Sequence, residues 1–305
     1  MLDLHRLRLL RELQQRGTIA AVADALRFTP SPVSQQLAVL EREAGVRLLE
    51  RAGRGVRLTD PALVLVGHAD ALLERAARAE ADLAAASGIV AGRARIAAFQ
   101  SVAMRIALPA MRELADDAPD LRCELVEAEP EWSLPALAIG DVDLVLADEW
   151  GPGQLARPAG VAREDLFADR VGVVLPEDHP AARRPGPVAL SGLAGEAWVT
   201  GHEGAAWDAM THRTCRELGG FDPDVRHRAN DAVLALAVVA AGLALTLLPA
   251  LVRPEAHPGV VVRPLAEGAV DRTVFAATRA ADAARPSVQA LLTALRDAVA
   301  RLDPG

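Results

Sequence analysis

Apolar residues in the first part of the chain recur with helical spacing. Ile19, Val22, Ala23 and Leu26 fall at i, i+3, i+4 and i+7, which predicts one buried face of a short helix. The pattern breaks at Arg27-Phe28-Thr29-Pro30. A second helix then begins, with Thr29 or Ser31 as N-cap and Pro30 or Pro32 at its first position, where a missing N–H costs nothing. Its buried side is Val33, Leu37 and Leu40, and Leu4, Leu7, Leu10 and Leu13 make an earlier helix to pack against. Gly45 stops the second helix, and Leu48–Thr59 reads as a small hairpin whose turn bears Arg51, Arg54 and Arg57.

Asp60-Pro61 then predicts an N-cap and first turn of a helix that meets no strong stop before Ser87-Gly88. Within it Leu65, Ala69, Leu72, Ala76, Ala79 and Leu83 are spaced alternately four and three apart, the seam of a two-helix coiled coil. Packing on its own domain is the alternative use of that face. From Ala91 the period alternates between two and 3.6. Strands are predicted at 93–99, 121–127, 142–147, 171–175, 197–200, 225–228, 243–248, 260–262 and 273–278, and helices at 102–115, 131–139, 205–218, 232–241 and 287–302. Such alternation predicts parallel sheets flanked by helices, and its restart after Gly151-Pro152-Gly153 predicts two lobes with a cleft between them.

The second helix of the N-terminal pair is polar where it is not buried. Ser31, Ser34, Gln35, Ala38 and Arg42 share one side, with small hydrogen-bonding groups that suit a DNA major groove, and the arginine-bearing hairpin beside it suits phosphate. Charge sharpens this picture. Residues 1–59 hold 10 Arg against 6 Asp plus Glu, a net of +4, so the rest carries −12 of the formal −8. Only the N-terminal part is suited to a polyanion.

The order of helix, helix-turn-helix and VSQQLAVLEREAGVRLLERAGRGVRLT resembles the winged helix-turn-helix of the LysR-type transcriptional regulators, and the likeness runs through the whole chain. Ser34 and Gln36 sit where the family's recognition helix has its serine and glutamine; Leu40-Glu41 and Gly45 match its LE and G; Arg51, Gly53, Arg54, Leu58 and Thr59 match its wing. Gln35, Ala38 and Val39 depart from usual basic residues, and Pro30 from a polar one, so the operator is not inferred from relatives. The expected DNA-contacting set is Thr29, Pro30, Ser31, Ser34, Gln35, Gln36, Arg51, Arg54 and Arg57.

The resemblance implies a winged helix-turn-helix domain over 1–59, a dimer-forming linker helix over 60–88, and an effector-binding domain over 89–305 resembling periplasmic solute-binding proteins. It places lobe I at 91–164 and 269–305 and lobe II at 165–268, with crossings near Arg163–Asp165 and Glu267–Val270. Expected partners are double-stranded operator DNA, a small-molecule effector and further copies of the chain, as dimers that pair into tetramers; RNA polymerase is a further candidate partner.

Ligands in open α/β sheets collect at strand carboxyl ends and helix N-termini. Phe99, Gln100, Ser101 and Val102 occupy one such junction, with Ser101 also a candidate N-cap. Thr200, Gly201 and His202 occupy another, Asp148-Glu149-Trp150 ends a strand, and Asn230-Asp231 caps the next helix. The junctions at 99–102 and 200–202 match pocket segments of the family. As a pocket wall Asp148 and Glu149 would favour an amine or hydroxyls over a simple dicarboxylate; as surface residues they would carry no function. The expected effector is therefore a small polar metabolite with both charges, its anion at helix N-termini and its cation at Asp148.

The remaining features narrow the class. Cys123 and Cys215 lack CxxC or Cys/His spacing, so neither a structural disulfide nor a metal site is expected, and a reducing cytoplasm is the expected compartment; Cys123 in RCELVE reads as a buried thiol rather than a peroxide sensor. Asp3, His5 and Arg6 interrupt the first segment before a signal-peptide core can form. Residues 232–252 are uncharged over a membrane-spanning length, but Gly242 and Pro249 divide them into a helix and a buried strand. No GxGxxG, GxSxG, P-loop or metal spacing is present, and His202 and His227 lack a nucleophile partner, so no cofactor is expected and an enzyme is the weaker reading. A solute-binding protein without DNA contact would leave the arginine wing unexplained.

Overall fold

The computed structural model describes residues 1–25, 29–52, 55–151 and 158–302, so Leu26, Arg27, Phe28, Gly53, Arg54, Pro152 and Gly153 lie outside it. The chain divides into two compact units, Met1–Ser87 and Gly88–Gly305.

The first unit is built on α1 (Leu4–Arg16), α2 (Ile19–Ala25), α3 (Pro30–Ala44), the hairpin β1 (Leu49–Ala52) and β2 (Gly55–Leu58), and α4 (Asp60–Ser87). Leu7, Leu10 and Leu13 are buried, joined by Leu9, whereas Leu4 is exposed because it stands at the first position of α1, clear of the packed face. Val22, Ala23, Val33, Leu37 and Leu40 complete the core with Leu48. Helix ends follow local chemistry: the Thr18 hydroxyl accepts from Ala21 N, and Gly17 and Gly45 close α1 and α3 in the left-handed region, at φ 76° and 69°. Thr59, not Asp60, caps α4. Its hydroxyl accepts from Ala62 N and donates to the Arg47 carbonyl, which ties the hairpin to the helix.

The first turns of α4 belong to this core: Ala62, Val66 and Ala69 are buried in it and Leu65 packs against it. The expected seam therefore divides. Ala69 and Leu65 serve their own unit, while Leu72, Ala79 and Leu83 stay exposed and Ala76 half-buried.

In the second unit a mixed sheet has the order β10 (Val260–Arg263), β6 (Val161–Pro176), β11 (Asp271–Arg279), β5 (Leu144–Glu149), β3 (Gly92–Ala98) and β4 (Leu121–Glu127), with β9 (Thr246–Pro249) also on β6. Its elements in chain order are β3 (Gly92–Ala98), α5 (Gln100–Val102), α6 (Leu108–Asp117), β4 (Leu121–Glu127), α7 (Pro130–Ala138), β5 (Leu144–Glu149), β6 (Val161–Pro176), β7 (Ala197–Thr200), α8 (Ala206–Thr214), β8 (Asp224–Arg228), α9 (Ala232–Ala240), β9 (Thr246–Pro249), β10 (Val260–Arg263), β11 (Asp271–Arg279) and α10 (Pro286–Ala300). A π turn at Ala103–Ala107 joins α5 to α6, and another at Cys215–Gly219 follows α8.

The expectation of parallel sheets holds only for β3 with β4 and β5, and for β7 with β8. The sixteen-residue β6 runs antiparallel to β11, β9 and β10. The cause is topological: the chain leaves lobe I along β6 and returns beside it along β11, and a neighbour that retraces a path must run the other way. Pairing of β6 with β11 persists from Val161 to Arg170, and pairing with β9 begins at Val171. The outward crossing thus lies some residues beyond Arg163–Asp165, and the return lies at Val270-Asp271.

Both faces of the sheet are covered, with period-two alternation assigning each strand residue a side. Ile96, Leu144, Leu146, Val274 and Ala276 face α6 and α10, whereas Ala97, Val145, Ala147, Phe275 and Ala277 face α7. In lobe II Val173 and Leu247 enter one core and Val174 and Leu248 the other. The uncharged 232–252 stretch resolves into α9, a turn at Gly242 with φ 71°, and β9. Among the described residues no helix is long and apolar enough to cross a membrane.

Candidate functional site

In the first unit, α3 presents a polar stripe. Its buried residues repeat at Val33, Leu37 and Leu40, so Ser31, Ser34, Gln35, Ala38 and Arg42 are turned outward, and Thr29 and Pro30 are exposed at its N-terminus. Thr29 occupies the N-cap position with extended φ and ψ but makes no side-chain cap bond. Gln36 lies to one side of the stripe. It is half-buried, and its amide oxygen accepts from Arg6 Nε at 2.9 Å, while Arg6 Nη1 reaches Glu43 at 2.6 Å. Glu41 organises the hairpin rather than the outer face: one of its oxygens accepts from the backbone N–H groups of Leu48 and Leu49, at 2.8 and 3.0 Å. On the hairpin Arg51 is exposed, and Arg57, also exposed, pairs with Glu50 across the strands. Arg54 lies outside the described residues.

In the second unit, a cavity of about 430 Å³ opens where several helix starts and strand ends converge. Phe99, Gln100 and Ser101 reach it from the start of α5, Glu129 and Glu131 from the start of α7, and Asp148 and Trp150 from the end of β5. Gly201, His202 and Trp207 line it from the turn before α8 and its first residues, Asp231 from the start of α9, Pro249 from the end of β9, and Arg272 from the start of β11. Seven of the nine predicted effector residues thus meet at one place.

Val102 and Thr200 do not. Val102 is fully buried in the lobe I core, one helix position past the rim, and Thr200 is fully buried with its hydroxyl against Thr211 at 3.2 Å. Glu149 is likewise not in the wall. As the next residue on a strand it points to the opposite face from Asp148, where it takes a 2.7 Å bond from Arg163, itself stacked on Phe275. Ser101 is not an N-cap, because Phe99 holds that position in extended geometry; the Ser101 hydroxyl accepts from Arg272. Asp231 does cap α9, accepting from Leu234 N at 3.0 Å.

Arg272 was absent from the sequence-derived set and is the centre of the site. Only 4% exposed, it donates from Nε and Nη2 to Asp169 at 2.9 and 2.8 Å, from Nη1 to Asp148 at 3.0 Å, and from Nη2 to Ser101 at 2.9 Å. The Phe99 ring lies 4.8 Å and the Trp150 ring 5.4 Å from its guanidinium carbon. Asp148 is thereby occupied, not waiting for a ligand cation. Burial pushes its carboxyl above the usual range, and Arg272, shared with Asp169, offsets only part of that. Nothing in VDRTVFAA marks Arg272 as buried; it reads as the polar start of a strand.

Glu129 differs from Asp148. Its carboxyl keeps access to solvent through the cavity mouth, and among the described residues it has no hydrogen-bonded partner in that space. Loss of hydration, then the nearby Asp148 and Glu131 charges, raise it to about 7 despite Arg272. Both thiols are shifted upward by burial, Cys123 half-buried on β4 and Cys215 pushed to about 12. Among the described residues there is no cluster of three or more His, Cys, Asp or Glu able to hold a metal.

Comparison with known proteins covers both units. Residues 4–63 match the family model of the bacterial regulatory helix-turn-helix protein, lysR family, and residues 87–300 match that of the LysR substrate binding domain. The DNA-binding transcriptional dual regulator OxyR of Escherichia coli is 29% identical over 284 residues, covering 92% of this chain and 90% of its own. The transcriptional dual regulator GltC of Bacillus subtilis is 27% identical over 274 residues, covering 90% and 89%. The structure of a single-residue variant of full-length OxyR from Pseudomonas aeruginosa superposes with a TM-score of 0.67 at 23% identity, covering 99% of this chain and 98% of that one, and so shares the fold.

Proposed function

Because the chain belongs to the LysR family of bacterial transcriptional regulators, matched by family models over both its units, we propose that the outward stripe of α3 reads operator DNA and that the cavity around Arg272 receives the effector. The protein is a DNA-binding regulator with an effector-binding domain, not an enzyme. As in the family, its partners are DNA, a small-molecule effector and other copies of the chain. The observation that carries the DNA reading is the division of α3: Val33, Leu37 and Leu40 are turned into the core, leaving Ser31, Ser34 and Gln35 to meet base edges. Gln36, held by Arg6, orients α3 on α1 and offers at most its remaining amide N–H groups. Arg51, and Arg54 on the sequence reading, supply phosphate contact, and Arg57 does so only by giving up Glu50. Thr29 and Pro30 stand where the helix enters the groove.

Exposed Leu72, Ala79 and Leu83, with Ala76, form the dimer seam along the later turns of α4. An effector that prefers one arrangement of the oligomer by about 1–3 kcal/mol changes operator occupancy or RNA polymerase contact severalfold. Operation on chromosomal DNA places the protein in the cytoplasm.

Gel-shift titration against its own upstream DNA tests the division of labour. Gln35→Ala is expected to change which operator variants are preferred, with a discrimination loss of about 1–3 kcal/mol at one position. Arg51→Ala is expected to weaken binding to all sequences and to flatten the salt dependence by about one unit of slope. A silent Gln35→Ala together with lost discrimination in Arg51→Ala would reverse the assignment.

Peroxide sensing is not part of this reading, although OxyR is a relative. Attack on peroxide needs a thiolate, and both thiols are held protonated by burial. Peroxide is expected to leave operator binding unchanged, and the Cys123→Ser/Cys215→Ser double variant to bind the operator as the natural chain does. Loss of the footprint on peroxide treatment, reversed by thiols, would contradict this.

A further inference from the structure

On the reading that the cavity is the effector site, we propose that it is built for an organic cation with an apolar or aromatic body, whose ammonium or guanidinium group is received by Glu129. The charge on the wall points that way. Glu129, Glu131, Asp148 and Asp231 face the cavity, and Arg272 is the one Arg or Lys among the described residues that line it.

That guanidinium has little left for an anion. Four of its five N–H donors already go to Asp169, Asp148 and Ser101, and the Phe99 and Trp150 rings lie against it. An anionic ligand taking more than the one remaining N–H would have to break a buried hydrogen-bonded pair and then lie beside the carboxylates it had released. At two of the helix starts on the wall the first-turn N–H groups are partly engaged or offset: Asp231 accepts from Leu234 N at α9, and Glu129 and Glu131 stand at the start of α7, whereas the starts of α5 and α8 carry no side-chain cap. A cation meets none of these obstacles. Trp207, fixed by its indole N–H on the Leu247 carbonyl at 3.0 Å, supplies an apolar wall opposite.

Glu129 also couples binding to protons. The groups facing it are Asp148 from β5, Glu131 from its own helix, Arg272 from β11 and, more distantly, Glu127 from β4; His202 and Asp231 share the cavity across from it. Its folded value is raised to about 7, above the ordinary carboxylate range, so the empty protein holds a proton there below about pH 7 and loses that stability as pH rises toward and through 7. A bound cation favours the ionised form. It should therefore expel the proton, and its affinity should fall about tenfold per pH unit well below 7 and level off above it.

The test is thermal shift and calorimetry on the full-length protein with three probes that share a phenylethyl group: phenethylamine, 2-phenylethanol and 3-phenylpropionate. Stabilisation is expected from the amine most and from the carboxylate least, with proton release on amine binding at pH 7 and at least a tenfold loss of amine affinity in Glu129→Gln. The same variant should raise the melting temperature of the empty protein at pH 8, which shows that it is folded. Preference for the carboxylate, or amine binding indifferent to Glu129→Gln and to pH, overturns the charge assignment; if that binding is abolished by filling the cavity in Ala206→Trp, the cavity survives as the effector site. Binding by none of the three overturns both.

Discussion

Arg272→Met is expected to destabilise the second unit by about 3–5 kcal/mol, the range for removing one partner of a buried ionic cluster. Asp148, Asp169 and Arg272 are each less than a tenth exposed, and the methionine chain would leave two carboxylates facing each other with no cation. Denaturant unfolding should show the loss. Its pH dependence identifies the cause: stripped of Arg272, the buried Asp148 carboxyl loses the cation that offsets its upward shift, so the deficit relative to the natural chain should shrink in acid and grow as pH rises. Restoring neutrality in Arg272→Met/Asp148→Asn/Asp169→Asn should recover much of the stability. A deficit that is independent of pH and not recovered by the triple change would mean that Arg272 acts through its packing on Phe99 and Trp150 instead.

The second large effect is expected on α4. Leu72→Glu/Leu83→Glu should leave the first unit folded, because both side chains are exposed in the single chain, yet abolish the proposed dimer seam. Loss of bivalency removes about 10²–10⁴-fold of avidity for an operator with two half-sites while sparing the weak affinity for one. Sedimentation and gel shift on one-site and two-site DNA measure the two parts. Ala69→Glu is the control with the opposite outcome: it inserts a charge into the core shared by α1 and α4, and the unit should unfold before dimerisation is tested. Unchanged two-site affinity in the double glutamate variant, with the protein still dimeric, would remove α4 from the interface.

These residues also show how far a linear reading reaches. Whether a position on α3 is inside or outside follows from its phase relative to Val33, Leu37 and Leu40, and the left-handed glycines that close α1 and α3 are equally local, whereas the cap of α4 fell one residue earlier than expected, at Thr59, where the hydroxyl also meets the Arg47 carbonyl. The same phase argument fails on α4, where one apolar face is used by two partners in succession; Ala69 and Leu72 look alike in sequence and differ only in what is packed beside them. At the cavity, the predicted junctions at Phe99–Ser101, Gly201-His202 and Asp231 converge because strand ends and helix starts do so in any wound sheet. Val102 and Thr200 overshoot the rim by one residue, which turns a side chain from opening to core.

The order of elements, the polarity of α3, the charge contrast between residues 1–59 and the rest, and the family were all determined by the sequence itself, since each depends on composition, period and short motifs that neighbouring residues set among themselves. Only the tertiary structure decided that β6 and β11 run antiparallel between the lobes, that Asp148 is already paired while Glu129 is not, and that an arginine more than 120 residues away along the chain closes the floor of the cavity. The reason is physical: burial and ion pairing are set by which distant segments meet, and a carboxylate's charge state depends on that company, which no local pattern encodes.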